Sequence, residues 1–206
     1  MILHTCRIQP SFLSTFLESY LHEVLPACKS SRVFEEYGTA GSLSWFTQRH
    51  VTILPDSDEK GLEYLQQKMP EGLYFSEFTI YEEIYRHARN QTREIFCRKP
   101  FFTVMVELSD KNTNSFMKWY HENYLPKTLA DIPMWSACRR YRALNSDAEK
   151  QITIYEADNE ADLARGFELL RKDYRYHSNE AWAQWVGETI LTQDACSFRP
   201  IFHYPE

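Results

Sequence analysis

The chain has 206 residues, 43% of them hydrophobic and 25% charged, and a net charge of −6. That length allows one large domain or two small ones, and an acidic balance with no sustained Lys/Arg run excludes a nucleic-acid footprint. No window holds the roughly eighteen apolar residues of a membrane helix, and MILHTCRIQP lacks the charged leader and apolar stretch of a signal peptide, so a cytoplasmic chain without a membrane partner is expected.

In the first hundred residues, ILHTCRI (2–8) predicts a strand and Phe12–Leu25 a helix. RVFEEYG (32–38) and WFTQRHVTIL (45–54) predict strands around a turn at GTAGS (38–42). A helix at Glu59–Lys68 follows, then a strand at REIFCRK (93–99). The intervening PEGLYFSEFTIYEEIYRHARNQ (70–91) reads as irregular.

In the second hundred, FFTVMVEL (101–108) predicts a strand apolar on both faces, and so covered on both. A helix from Asn114 to Leu129 carries Phe116, Tyr120 and Tyr124 in helical rhythm, with a kink or restart at Pro126. WSACRRYRAL (135–144) and QITIYEA (151–157) predict strands around a polar turn. A helix at Glu160–Tyr174, a short helix in HSNEAWAQWVGETI (177–190) and a strand at DACSFRPIF (194–202) complete the half.

The two halves match in order. FLESYLHEVLP (16–26) faces FMKWYHENYLP (116–126), with Phe16/Phe116, Tyr20/Tyr120, Leu25/Leu125 and Pro26/Pro126 at one offset. VTIL (51–54) faces ITIY (152–155), KGLEYL (60–65) faces RGFELL (165–170), and KPFF (99–102) faces RPIF (199–202). Recurrence at a near-constant spacing reads as an internal duplication. The order in each half is β-α-β-β-α-β, the ferredoxin-like unit. One unit leaves a sheet face bare, and two copies can bury those faces against each other. The expected fold is therefore α+β: two ferredoxin-like βαββαβ repeats, residues 1–100 and 101–206, packed sheet to sheet as an intramolecular α+β barrel.

The element order, the run WYHENYLP (119–126) and the later RRY (139–141) resemble the dimeric α+β barrel superfamily over essentially the whole chain, as a tandem fusion. The resemblance is closest in the second half, to small barrels with a W-x-x-E-E-H-x-P-like motif. Tyr124 and Val24 stand where that pattern has its histidine, while His121 and His22 sit in other registers. The resemblance implies a barrel or sheet–helix cavity for an apolar, often aromatic or polyketide-like, ligand. It also implies a monomeric pseudo-dimer or a homodimer.

The aromatic share, 15%, fits either a Phe/Tyr-rich core or an aromatic-walled cavity. His121, beside Trp119, Tyr120 and Tyr124, is a candidate general base; its alternative is a solvated helix histidine. Tyr120 and Tyr124 share a helix face, as ligand donors or as packing. Arg139 faces opposite to Arg140 and Arg142, and one of them turned inward could hold a carboxylate or enolate. The candidate catalytic set is His121, Tyr124 and Arg140, and the candidate substrate-binding set is Tyr120, His50, Trp182 and Trp185. His4, alternating with Ile2, Cys6 and Ile8, reads as a cavity-facing or satisfied core residue. The seven histidines show neither H-x-H nor H-x-x-x-H, and no phosphate-loop, dinucleotide or hydrolase motif occurs, so no metal is expected. Five cysteines with no C-x-x-C spacing suggest reduced thiols.

The resemblance implies a small cofactor-independent enzyme of monooxygenase, isomerase, cyclase or dehydratase type. It would act on an apolar cyclic, aromatic or polyketide-like molecule in a barrel cavity. The alternative is a non-catalytic small-molecule or haem-binding protein of the same fold.

Overall fold

The computed structural model describes residues 1–28, 31–37, 48–54, 59–67, 72–88, 99–172 and 180–204. The first half supplies β1 (Ile2–Ile8), α1 (Leu13–Ser19), β2 (Ser31–Glu36), β3 (Gln48–Leu54), α2 (Glu59–Gln67) and β4 (Leu73–Ala88). The second supplies β5 (Phe101–Leu108), α3 (Thr113–Trp119), α4 (Leu125–Asp131), β6 (Trp135–Ala143), β7 (Glu149–Ala157), α5 (Glu160–Lys172), α6 (Glu180–Ala183) and β8 (Ile190–Tyr204). The β-α-β-β-α-β order thus occurs twice. The fold is α+β and antiparallel, and the strands hydrogen-bond in the closed order of a barrel, β1-β3-β2-β8-β5-β7-β6-β4.

Two compact units result: Met1–Tyr81 with Cys196–Glu206, and Glu82–Ala195. β4 and β8 each contribute a segment to both. In the first unit, β3 lies between β1 and β2, with Cys6 opposite His50 and Val33 opposite Thr52. β4 extends the sheet beyond β1, and the end of β8 extends it beyond β2. Period-2 alternation turns Ile2, Cys6 and Ile8 of β1 to one face, where they pack with Val33, Leu65 and the helical Phe16, Tyr20 and Val24. In the second unit, β7 lies between β5 and β6, with Val104 and Arg140 both opposite Thr153. β7 is buried from Gln151 to Ala157, with Ile152 and Ile154 on one face and the polar Gln151 and Thr153 with Tyr155 on the other.

Three expectations change. The fourth strand of the first half is β4, inside the segment read as irregular; most of the expected REIFCRK strand lies outside the described residues. β4 is built of β-forming Leu73, Phe78, Ile80 and Tyr81, interleaved with the charged Glu77, Glu82 and Glu83 that mask its apolar alternation. The helix expected over 114–129 is not uniform. After α3, residues Tyr120–Tyr124 form a π-helical turn, with the Leu125 amide donating to the Tyr120 carbonyl, and α4 begins at Leu125. Pro126 has no amide to donate and its ring crowds the preceding turn, so the helix widens by one residue before it. The same happens at Tyr20–Val24 before Pro26, one hundred residues earlier. Of the helix expected over 177–190, only Glu180–Ala183 is described as helical, and β8 starts at Ile190.

Cys6, Cys28, Cys138 and Cys196 are buried and form no disulfide; Cys97 lies outside the described residues. No helix among the described residues is long and apolar enough to cross a membrane.

Candidate active site

The second unit gathers its unusual chemistry between β6, β7 and the end of α3. Alternation along β6 turns Cys138 and Arg140 to the same face, and both are 0% exposed. Arg140 lies under the helix: its guanidinium carbon is 4.2 Å from the Tyr120 ring centroid and 5.8 Å from that of Phe116. Its Nη1 donates to His121 Nε2 at 2.8 Å and reaches Met117 Sδ at 3.4 Å. Its Nη2 donates to Gln151 Oε1. Its Nε is buried with no hydrogen-bond partner. No carboxylate among the described residues lies within ion-pairing distance of this cation. Burying a guanidinium so costs several kcal/mol in order of magnitude unless an anion compensates it.

An arginine only donates, so His121 Nε2 must accept and the ring is neutral with its proton on Nδ1. Burial and then the Arg140 charge lower the His121 pKa from 6.5 to about 4. Tyr85 of β4 stacks on the His121 ring, centroid to centroid at 4.7 Å. Burial raises the Tyr85 hydroxyl to about 12, with Arg140 opposing the rise. The buried Tyr120 hydroxyl lies 3.3 Å from both Thr153 Oγ1 and the Tyr155 hydroxyl. Burial raises both phenols, and Arg140 works against that rise at Tyr120.

An aromatic wall adjoins this group. Tyr124 stacks on Tyr120 at 5.1 Å and lies 5.2 Å from Trp119 and 5.4 Å from Trp182. Trp182 is 5.6 Å from Tyr120, and Trp185 is 5.6 Å from Phe116. The Trp185 indole nitrogen is buried without a hydrogen-bond partner. The fold thus brings His121, Arg140 and Tyr120 into direct contact and sets Tyr124, Trp182 and Trp185 beside them as apolar surface. His50 lies apart from this group in sequence and unit: its backbone is in β3, and its side chain is outside what is described. Arg139 and Arg142 pair instead with Glu83 and Glu82. Sequence reading missed Tyr85, Gln151, Thr153 and Tyr155. The signal for the last three was present: they stand at alternate positions on a strand whose other face carries Ile152 and Ile154.

The first unit holds a different solution at the matching place. His4 stands opposite Thr52 as Val104 stands opposite Thr153, and Val33 stands opposite Thr52 as Arg140 does opposite Thr153. The buried polar side chain nearest the helical tyrosine therefore comes from β1 in this unit, whereas in the second unit Arg140 of β6 lies over the tyrosine ring. His4 Nδ1 is 2.9 Å from the Tyr20 hydroxyl, which is 2.7 Å from Thr52 Oγ1. His4 Nε2 is 3.0 Å from Ser76 Oγ, and its ring stacks on Phe78 at 4.2 Å. Every polar atom of the His4 ring has a partner, and burial lowers its pKa to about 3. This is a satisfied core network.

No three-residue His/Cys/Asp/Glu group suited to a metal occurs among the described residues. A histidine ligand to haem iron needs a ring nitrogen free to reach it. His4 has both nitrogens bonded and His121 turns Nε2 to Arg140, so neither fits an axial-ligand position as placed.

No protein-family model matches the chain, and no curated protein matches it in sequence. Solved structures do match in shape. An anthrone oxidase-like protein superposes with a TM-score of 0.66 at 9% identity, covering 98% of this chain and 92% of its own. A protein provisionally named a monooxygenase from Lactobacillus acidophilus NCFM gives 0.54 at 10% identity, covering 98% and 95%. A major regulator of staphylococcal pathogenesis gives 0.52 at 9% identity, covering 98% and 100%. The chain has the fold of the dimeric α+β barrel superfamily, end to end. Names so different on one fold leave function to be argued from the site.

Proposed function

We propose that the chain is a cofactor-independent enzyme that enolises an apolar cyclic or aromatic ketone at the Arg140–His121 pair. The observation that carries this reading is the buried Arg140 guanidinium, which has no carboxylate partner among the described residues. A cation held this way is preorganised for negative charge that develops on a substrate oxygen. The substrate oxygen takes the place of His121 on Arg140 Nη1, which leaves the Nε2 lone pair free beside the substrate. The α C–H proton passes to His121 Nε2, and its electron pair moves through the new C=C bond onto the oxygen held by Arg140. Burial chiefly, and the Arg140 charge second, lower the His121 pKa; as negative charge develops on the oxygen it offsets the second of these, so the imidazolium that forms is stabilised. Tyr124 and Trp182, the partly exposed rings beside the buried Phe116 and Tyr120, would offer flat apolar surface for the ring. Monooxygenase, isomerase, cyclase and dehydratase types can all begin from such an enolate, so the step does not choose among them.

The neighbouring anthrone oxidase-like fold suggests anthrone as probe. In deuterated buffer without oxygen, wild type should speed exchange of the methylene protons of anthrone. Arg140→Met and His121→Gln should each slow that exchange about a hundredfold. Exchange at the buffer rate, or unchanged in both variants, would sink the reading. A Soret band after haemin addition that disappears in His121→Gln would favour the haem-binding alternative.

A further inference from the structure

We infer that Gln151 is the specificity-setting residue of this site: a neutral bridge that holds Arg140 in place yet withholds the counter-charge, so that the ligand must carry it as an anion. The inference rests on the reading of Arg140 as the oxygen-holding group and adds the charge class of the ligand.

Gln151 is buried, 2% exposed. Its carbonyl oxygen accepts from Arg140 Nη2, and its amide nitrogen donates to Glu149 Oε1 at 2.8 Å. The amide is therefore oriented by both neighbours, oxygen to the cation and nitrogen to the anion. Glu149, two residues along β7 on the same face, supplies the nearest carboxylate in this chain of contacts, and it stops one side chain short of the guanidinium. A glutamate at 151 would have reached the cation directly and closed a buried ion pair. With glutamine there, Arg140 is fixed by Gln151 below and by the faces of Tyr120 and Phe116 alongside, while Nε has no partner and Nη1 is shared only with a neutral histidine and a thioether. The neutral partners restrain the guanidinium, and the Glu149 carboxylate acts on it only across Gln151, without contact. A carboxylate, phenolate or enolate on a flat apolar body completes the balance, and the corresponding neutral amide does not.

The matched probes are 2-naphthoate and 2-naphthamide, measured by calorimetric titration and by the shift in thermal unfolding. Wild type should bind the carboxylate about tenfold to a hundredfold tighter than the carboxamide, as expected for a charge-assisted contact in a buried site. Exchanging the two side chains, Glu149→Gln with Gln151→Glu, keeps composition and net charge but puts the carboxylate on Arg140. That double variant should lose the preference for 2-naphthoate and should unfold at a temperature no lower than wild type. Glu149→Gln alone should keep the preference. The inference is overturned if wild type binds the two probes equally or binds neither, or if the exchanged variant still prefers the carboxylate. Should the exchanged variant not fold, the wild-type probe pair and Glu149→Gln decide the matter. Anion preference without proton exchange on anthrone would sink the enolising role and leave this inference standing; exchange without anion preference would do the reverse.

Discussion

Tyr20 and Tyr120 occupy matching positions, yet their hydroxyls are held differently. Tyr20 has close contacts at 2.9 and 2.7 Å to His4 and Thr52, both buried. Tyr120 has two longer ones at 3.3 Å. Removing a hydroxyl costs most where it leaves buried partners unsatisfied. Tyr20→Phe should therefore destabilise by about 1–3 kcal/mol and Tyr120→Phe by about 1 kcal/mol or less; urea unfolding of both variants measures the difference, and equal losses would contradict it. His4 gives a second contrast. Burial keeps its ring neutral, with a pKa of about 3 against 6.5 in the unfolded chain. The unfolded chain therefore takes up a proton that the folded chain refuses. Its contribution is complete above pH 6.5 and declines as pH falls toward 3, by about 1.4 kcal/mol per pH unit. His4→Gln should be less stable at pH 7 but should lose stability less steeply between pH 6 and 4, read from unfolding curves in urea. Residue types alone marked His121 and Arg140 as candidates, because a histidine among rings and a strand arginine turned inward are chemically conspicuous. The alternation that sets Gln151, Thr153 and Tyr155 on one face of QITIYEA was legible too, but their nearness to Arg140 was not, because the register of β6 on β7 is written in neither strand alone.

At the scale of elements, a strand was legible where a run rich in β-branched and aromatic residues went unbroken, as in FFTVMVEL, which matches β5 residue for residue. β4 was not, because its apolar positions are broken by Glu77, Glu82, Glu83 and Arg86, which read as loop. Pro126 was legible as a disturbance, but a widened turn and a kink leave the same mark in sequence. The widened turn sets the register of the helix that follows, and it does so twice, at Tyr20–Val24 and Tyr120–Tyr124. α5 meets β6 through a close approach. A Cβ built on Gly166 would overlap the Trp135 indole nitrogen and lie 2.7 Å from its Cε2. Trp135 is 1% exposed and has no room to withdraw. Gly166→Ala should destabilise by about 1–3 kcal/mol, the usual range for overpacking. The loss should be smaller on a Trp135→Phe background; a double-mutant cycle by thermal unfolding checks this, and additive losses would rule out the contact as the cause.

For the whole molecule, the repeat read in the sequence and the compact units of the structure are different divisions of one chain. β4 runs from the first unit into the second, and β8 runs back. A fragment of residues 1–100 would lack the β8 segment that pairs with β2, and a fragment of 101–206 would lack the β4 segment of the second unit. Expressed singly, each should show no cooperative thermal transition, while co-expression should restore one; a cooperative transition in either fragment alone would contradict this. The hydroxyl of the buried helical tyrosine meets a strand threonine in both units, Thr52 for Tyr20 and Thr153 for Tyr120, but its other neighbour differs: His4 on β1 in the first unit and Tyr155 on β7 in the second, where Arg140 lies over the ring. Val33 and His4 flank Thr52 from its two neighbouring strands, and both are fully buried. An arginine grafted at Val33 would therefore be driven into space that is already filled, so the two halves are not interchangeable by a single exchange of side chains.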